Sequence, residues 1–153
     1  MGLGGYLFWT AVAREISEKS FGGNSQIKFL PLETCNNGII KLIKSEIFAN
    51  NPRFFQEFTE SEFAFPLVLN NQELNYCKRD TPERAYHRYD KHVVAQICEH
   101  YGIQNPKLNC EIYFSEQEIN KTNKLLVGLK DFVVIEPQSN DEYSKNKVYP
   151  FEK

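Results

Sequence analysis

The sequence is poor in the residues that build metal and redox centres, with four cysteines and three histidines among 153 residues and none at ligand spacing. Cys35, Cys77, Cys98 and Cys110 lie far apart and form no C-x-x-C pair, and His87 and His92 are five positions apart where the helical H-E-x-x-H motif needs four. No metal is expected, and the thiols read as reduced and mostly buried, as in a cytosolic protein. Charge of one sign is also missing: the net charge is −2. Nothing global therefore attracts nucleic acid or an acidic membrane, and any such contact must be local. Long apolar runs are absent too. The longest fall far short of the ~20 residues that span a bilayer, and no basic segment precedes the first of them, so the chain is expected to be neither secreted nor integral to a membrane.

What is there suits one folded domain. A hydrophobic fraction of 41% and a charged fraction of 25% are enough to bury a core without any disordered or fibrous class. The most informative stretch is the first, Met1 to Ile16, where Gly2, Gly4 and Gly5 precede a helical pattern. A glycine loop opening a helix offers unpaired N–H groups and the positive end of the dipole, a site for an anion or a sugar. The plain alternative is a turn into a packed helix. A dinucleotide fingerprint is excluded because no third glycine follows in register, and a Walker loop because no Gly-Lys-Ser/Thr ending follows.

In chain order, a helix is expected from about Gly5 to Lys19, stopped by Gly22-Gly23, followed by a short strand over Gln26 to Pro31. The apolar residues between Asn36 and Ala49 fit a helix giving way to a short strand, ended by Asn50-Asn51-Pro52. Phe54, Phe55, Phe58, Phe63 and Phe65 read as core or as an interface, and Pro66 to Leu69 as a strand. Thr81-Pro82-Glu83-Arg84 is a helix start, and the helix should reach Tyr101 with Gly102 as its stop. On that helix Arg84, Arg88 and Lys91 make a basic face for an anionic acceptor or, more plainly, a solvated face. Cys110 to Phe114 alternates as a strand, Ser115 and Glu118 form a capping box for a short helix ending near Gly128, and Asp131 to Pro137 reads as a buried parallel strand. The sum is an α/β domain with helices layered on a sheet.

Two segments resemble glycosyltransferase family 9, the lipopolysaccharide heptosyltransferase family. Gly2-Leu3-Gly4-Gly5 with Thr10-Ala11-Val12-Ala13-Arg14 is similar to that family's Gly-Leu-Gly-Asp loop and Thr-Pro-Ala-x-Arg helix. Val133-Val134-Ile135-Glu136-Pro137, Ser139 and Lys147-Val148-Tyr149-Pro150-Phe151-Glu152-Lys153 are similar to the opening of its second domain. The helix end at Gly102-Ile103 also resembles the family's Leu-Gly-Ile. The resemblance implies a Rossmann-like three-layer domain over residues 1–130, like the N-terminal domain of a glycosyltransferase B fold but without its first strand, and residues 131–153 as the start of a truncated donor-binding domain.

The activity so implied is metal-independent, inverting transfer from a nucleotide sugar to a glycan or lipopolysaccharide-core acceptor. Gly2, Gly4, Gly5 and Tyr6 would form the acceptor-side loop, and Ser139 and Lys147 would hold the donor diphosphate, Lys147 having the alternative of a solvated loop lysine. Gly5 takes the place of the family's proposed catalytic aspartate, so no catalytic base is assigned. No cofactor and no nucleic acid are expected, the isolated chain is expected to be inactive, and an open sheet edge is expected to favour a homodimer. The expected location is the cytoplasm, either free or peripheral at the inner membrane. A non-catalytic glycan- or nucleotide-binding module, and an assembly module using the phenylalanine-rich stretch, stay open beside the transferase.

Overall fold

The structure, a computed structural model, describes residues 3–55, 61–71, 73–74 and 91–130. The chain divides into two compact units, Met1–Ser115 and Glu116–Lys153. The first is a mixed α/β unit built on the helix α1 (Leu3–Ser20). Nine consecutive residues of α1, Trp9 to Ser17, are buried, so this helix is covered all round and not along one stripe. Its apolar members Trp9, Ala11, Val12, Ala13 and Ile16 form the centre of the core.

The start of α1 corrects the loop expected over Gly2, Gly4, Gly5 and Tyr6. Gly4, Gly5 and Tyr6 lie within the helix, while Gly2 falls outside the described residues. Once the buried stretch has nucleated the helix, each further residue adds a hydrogen bond, which outweighs the roughly 1 kcal/mol that a glycine costs against alanine. At the other end the glycine stop stands. Gly22 and Gly23 have φ of +60° and +76°, and the Gly23 N–H returns to the Ser17 carbonyl at 2.8 Å.

The sheet has three strands in the order β2-β1-β3: β1 is Ile27–Thr34, β2 is Ile40–Leu42 and β3 is Phe63–Val68. β1 pairs parallel to β3, with Ile27 opposite Phe63 and Leu32 opposite Val68, and antiparallel to β2, with Leu32 opposite Leu42 and Thr34 opposite Ile40. β1 runs past Pro31, where the sequence pattern ends it, because the partner changes there. Before the proline, the Phe29 N–H donates to the Arg53 carbonyl at 2.8 Å and the Phe55 N–H to the Phe29 carbonyl at 3.0 Å; after it, β2 takes over. Pro31 has no N–H to donate and only accepts, from the Ile43 N–H at 2.8 Å. In β3, Phe63 and Leu69 donate toward β1, so by alternation Pro66 turns its nitrogen to the sheet edge and costs no ladder bond.

The helix giving way to a short strand expected over Asn36 to Ala49 comes in the reverse order, a short strand and then one helical turn. Asn36-Asn37-Gly38 makes a hairpin turn in which Gly38 has φ +77° and the Cys35 N–H reaches the Ile39 carbonyl at 2.8 Å. The turn chemistry of Asn-Gly and the β-branched Ile39 and Ile40 override the helical spacing. One helical turn, α2 (Glu46–Ala49), follows β2, capped by Ser45, whose Oγ accepts the Ile47 N–H at 3.3 Å. Phe48 and Phe54 stack at 4.3 Å, and Phe29 meets Phe65 edge-on at 5.6 Å, so part of the phenylalanine-rich stretch is core as expected. Phe63, on the edge strand, is exposed and Phe58 falls outside the described residues.

Of the long helix expected from Thr81 to Tyr101, only the last part is helical among the described residues. α3 is Val93–His100, and His92 before it has the extended ψ of 138° of an N-cap, its Nδ1 accepting the Val94 N–H at 3.2 Å. Residues 81–90 lie outside the described set. α3 ends as expected at Gly102, with φ +71°; the Gly102 and Ile103 N–H groups return to the Glu99 and Cys98 carbonyls, both at 2.9 Å. Cys110 to Phe114 is neither helix nor strand and joins no strand of the sheet.

In the second unit, α4 (Glu116–Leu125) is a polar helix with no buried residue, followed by a turn at Gly128 with φ +82°. The domain boundary expected after Lys130 concerns residues 131–153, which lie outside the described set, as does the strand expected over Asp131 to Pro137. Among the described residues no helix is long and apolar enough to cross a membrane.

Candidate functional site

Two features of the first unit stand out, one built from buried charged side chains and one from apolar walls. The first is a polar clamp on α1. Arg14, almost fully buried, uses all five of its N–H groups: Nε and Nη2 on Glu15 Oε1 at 3.2 and 3.1 Å, Nη2 on the Lys107 carbonyl and Nη1 on the Asn109 carbonyl, both at 2.7 Å, and Nη1 on Glu111 Oε1 at 3.3 Å. Thr10 Oγ1 accepts the Glu111 N–H at 2.9 Å. Lys19 Nζ lies 3.1 Å from Glu15 Oε2 and donates to the carbonyls of Gln104 and Asn105. Arg53 joins from the other side, 2.7 Å from Glu111 Oε2 and 3.1 Å from the Tyr113 hydroxyl. The segment expected to be a strand at Cys110 to Phe114 is thus held by α1 side chains and Arg53 in place of a ladder.

The electrostatics follow from burial and pairing. Burial alone would raise the Glu15 carboxyl, but Lys19, Arg14 and the Lys107 N–H outweigh it and hold its pKa below the ordinary glutamate value. Burial would likewise lower Arg14, and its two carboxylate partners reverse that. Cys98, fully buried, is pushed up to about 11 by burial, with the Glu15 charge adding to the rise. These groups are matched to one another and make a structural joint, not an acid–base pair poised near neutral pH.

The second feature is a cleft of about 540 Å³ at the point where the partner of β1 changes. Pro31, Leu42, Ile43, Phe48, Ala49 and Phe55 wall it, with Lys44, Ser45 and Glu46 alongside. Its position follows from Pro31: on that side β1 leaves the Arg53–Phe55 segment and has no donor with which to close the gap before β2. Such a volume, with apolar walls and few polar groups, suits a small ligand. Tyr6 stands behind one wall, its ring 5.7 Å from Phe48, and its hydroxyl donates to Glu33 Oε1 at 3.4 Å. Burial, then the Glu33 charge, raises the Tyr6 phenol.

The residues singled out from sequence are scattered against this geometry. Of the acceptor-side set, Tyr6 packs behind the cleft, and Gly4 lies in α1 with open space where a Cβ would be, so no close backbone approach requires a glycine there. Lys91 is exposed, pairs with Glu99 Oε1 at 2.8 Å and lies before the N-cap of α3, outside that helix. Arg84, Arg88, Ser139 and Lys147 lie outside the described residues. The cleft residues Pro31, Ile43 and Phe48 carried no motif; a proline inside a run that otherwise continues as a strand, with Asn-Gly soon after, was the available signal. Among the described residues no group of His, Cys, Asp and Glu could hold a metal ion. Comparison with protein-family models, with curated proteins and with solved structures finds no match to this chain.

Proposed function

We propose that the chain forms the acceptor side of a sugar-nucleotide-dependent glycosyltransferase, heptosyltransferase-like, working in lipopolysaccharide or surface-glycan assembly. The observation that supports this best is the use made of Thr10 and Arg14. In the resemblance to glycosyltransferase family 9 they are the two polar positions of the helix after the glycine segment; here they are the α1 side chains that bind the 107–111 segment to the helix. A threonine and an arginine four apart therefore have a reason to stand together that helix periodicity does not supply. A helix leading into the parallel pair of β1 and β3 is also what a Rossmann-like three-layer domain of the glycosyltransferase B type would use.

In this reading the acceptor glycan lies over the cleft, where Phe48 and Phe55 offer apolar walls to the C–H face of a sugar. Ser139 and Lys147 contact the donor diphosphate, Lys147 as a point charge that can follow charge developing on the leaving phosphate. Transfer inverts the anomeric centre without a metal. Titration of the chain with lipopolysaccharide-core oligosaccharides, followed by aromatic NMR, tests it: shifts at Tyr6, Phe48 and Phe55 that vanish in Phe48→Ala support the reading. No response to any core glycan at millimolar concentration overturns it.

Gly5 favours a second reading, a relative that binds a glycan or nucleotide without transferring sugar. It lies within α1 at the position that the resemblance gives to an aspartate, and glycine accepts no proton. A transfer assay on the protein at its native length, with labelled nucleotide sugars and core acceptor, separates the two. Labelled product supports the transferase, and binding without product supports the module.

A further inference from the structure

The hydrogen bonds that fix residues 107–113 all fall on odd-numbered positions. Arg14 takes the carbonyls of Lys107 and Asn109, Thr10 takes the Glu111 N–H, and Arg53 takes the Glu111 carboxylate and the Tyr113 hydroxyl. Among the described residues, the backbone N–H and C=O groups of the even-numbered Leu108, Ile112 and Phe114 bond to no other group of the chain. Their side chains are apolar and 42%, 47% and 62% exposed, while Cys110 between them is half-buried against the core. A period of two is that of a strand, whose backbone groups point to opposite edges in turn. One edge here is taken by α1, and the other is open.

We propose that residues 108–114 take up an extended peptide of a partner protein, added as a strand along the edge turned away from α1. Backbone donors and acceptors at alternate positions call for the same groups in return, which a peptide strand supplies, and the exposed Ile112 and Phe114 offer contact to its alternate apolar side chains. The clamp from α1 and Arg53 holds the segment in place beforehand, so the ordering cost falls mainly on the incoming peptide. The edges of the sheet are blunted, β2 by Lys41 and β3 by Pro66, whereas residues 108–114 hold neither lysine nor proline, and their one charged residue, Glu111, is held by Arg14 and Arg53. Seven residues make an edge of about 23 Å. That is enough for a peptide but falls short of the ~800 Å² per partner with which a second folded copy would pair stably. The edge uses neither the cleft nor any sugar or nucleotide contact, and so stands apart from the glycosyltransferase reading.

The test is amide hydrogen exchange and amide NMR of the chain with a hexapeptide of alternating valine and threonine, against the same peptide methylated on every backbone nitrogen. In the chain alone the Ile112 and Phe114 amides should exchange freely while that of Glu111, bonded to Thr10, is protected. The unmethylated peptide should slow exchange at Ile112 and Phe114 and shift their signals. Methylation should weaken binding at least about twentyfold, at about fivefold for each hydrogen bond removed. Ile112→Thr with Phe114→Ser should weaken it at least about tenfold through lost apolar burial. Circular dichroism melts of that variant should match the wild type, since both side chains are largely exposed. An Ile112 amide already protected in the chain alone, no response to the peptide at millimolar concentration, or equal binding of the methylated peptide would overturn the proposal. So would a wild-type dimer by light scattering that the double variant makes monomeric.

Discussion

Thr10 Oγ1 accepts the backbone N–H of Glu111 at 2.9 Å while its own proton goes to the Leu7 carbonyl at 2.8 Å, so one hydroxyl in α1 serves a residue 101 positions away. Arg14 and Lys19 repeat the arrangement along the same helix, taking the carbonyls of Lys107, Asn109, Gln104 and Asn105. The segment from 104 to 111 therefore has its backbone acceptors met by cationic side chains and one of its donors by a hydroxyl. A sheet partner is not needed.

Arg14→Met should destabilise the protein by about 3 kcal/mol, at the lower end of the range for breaking a buried ion pair, because Lys19 stays beside Glu15. Adding Glu15→Leu should recover much of the loss, since an apolar pair leaves no charge stranded. Urea unfolding of the two variants measures both. A midpoint for Arg14→Met within error of the wild type would show that the clamp contributes nothing to stability.

Glu15 predicts an acid limb. Its pKa is lower in the folded protein than its ordinary value of 4.5, so its contribution is fully present above that pH and is lost as the pH falls through the lowered value. Glu15→Gln should be less stable than the wild type at neutral pH, and the gap should narrow as acid is added. Thermal melts from pH 6 downward, to about pH 3, would show it; a gap that widens in acid would contradict the sign.

Two glycines should respond in opposite directions to alanine. Gly4 lies in α1 with nothing within 4 Å of an added Cβ, so Gly4→Ala should be neutral or stabilising by up to about 1 kcal/mol. Gly38 has equally open surroundings but a φ of +77°, so Gly38→Ala should cost about 1 to 2 kcal/mol. Loss of stability in Gly4→Ala would restore the loop that the sequence pattern suggests.

The thiols should separate in rate. Cys35 is exposed at the hairpin and Cys98 is buried with its pKa raised to about 11, so a disulfide reagent should modify Cys35 quickly and Cys98 only as the protein unfolds. Cys35→Ser should remove one fast equivalent. If Cys98→Ser removes it instead, the burial of α3 against α1 is wrong.

What the sequence made legible was local. Gly22-Gly23 and Gly102 end helices as their conformational freedom suggests, and α1 and α4 stand close to where their patterns put them. The order of strand and helix within Asn36 to Ala49 was hidden because the apolar spacing satisfies a helix, while the deciding features were Asn37-Gly38 and a β1 partner free after Pro31. His92 starts α3 as an N-cap, a position where serine, threonine and aspartate are the usual signals. The clamp was the least legible part: Thr10, Arg14, Glu15 and Ser17 look like the polar face of an amphipathic helix, and only the arrival of residues far along the chain buries them. The cleft was invisible for a similar reason, since it lies where two pairings of β1 fail to meet.

The distance in sequence between the halves of the clamp also sets a clock. Arg14 leaves the ribosome 95 residues before the Asn109 carbonyl that it binds, a wait on the order of 5 to 20 s at ordinary rates of synthesis. Until then the Arg14 guanidinium has Glu15 beside it but lacks the carbonyls of Lys107 and Asn109. The nascent chain must therefore carry a guanidinium destined for burial, without these partners, until the segment from Lys107 to Glu111 has been made.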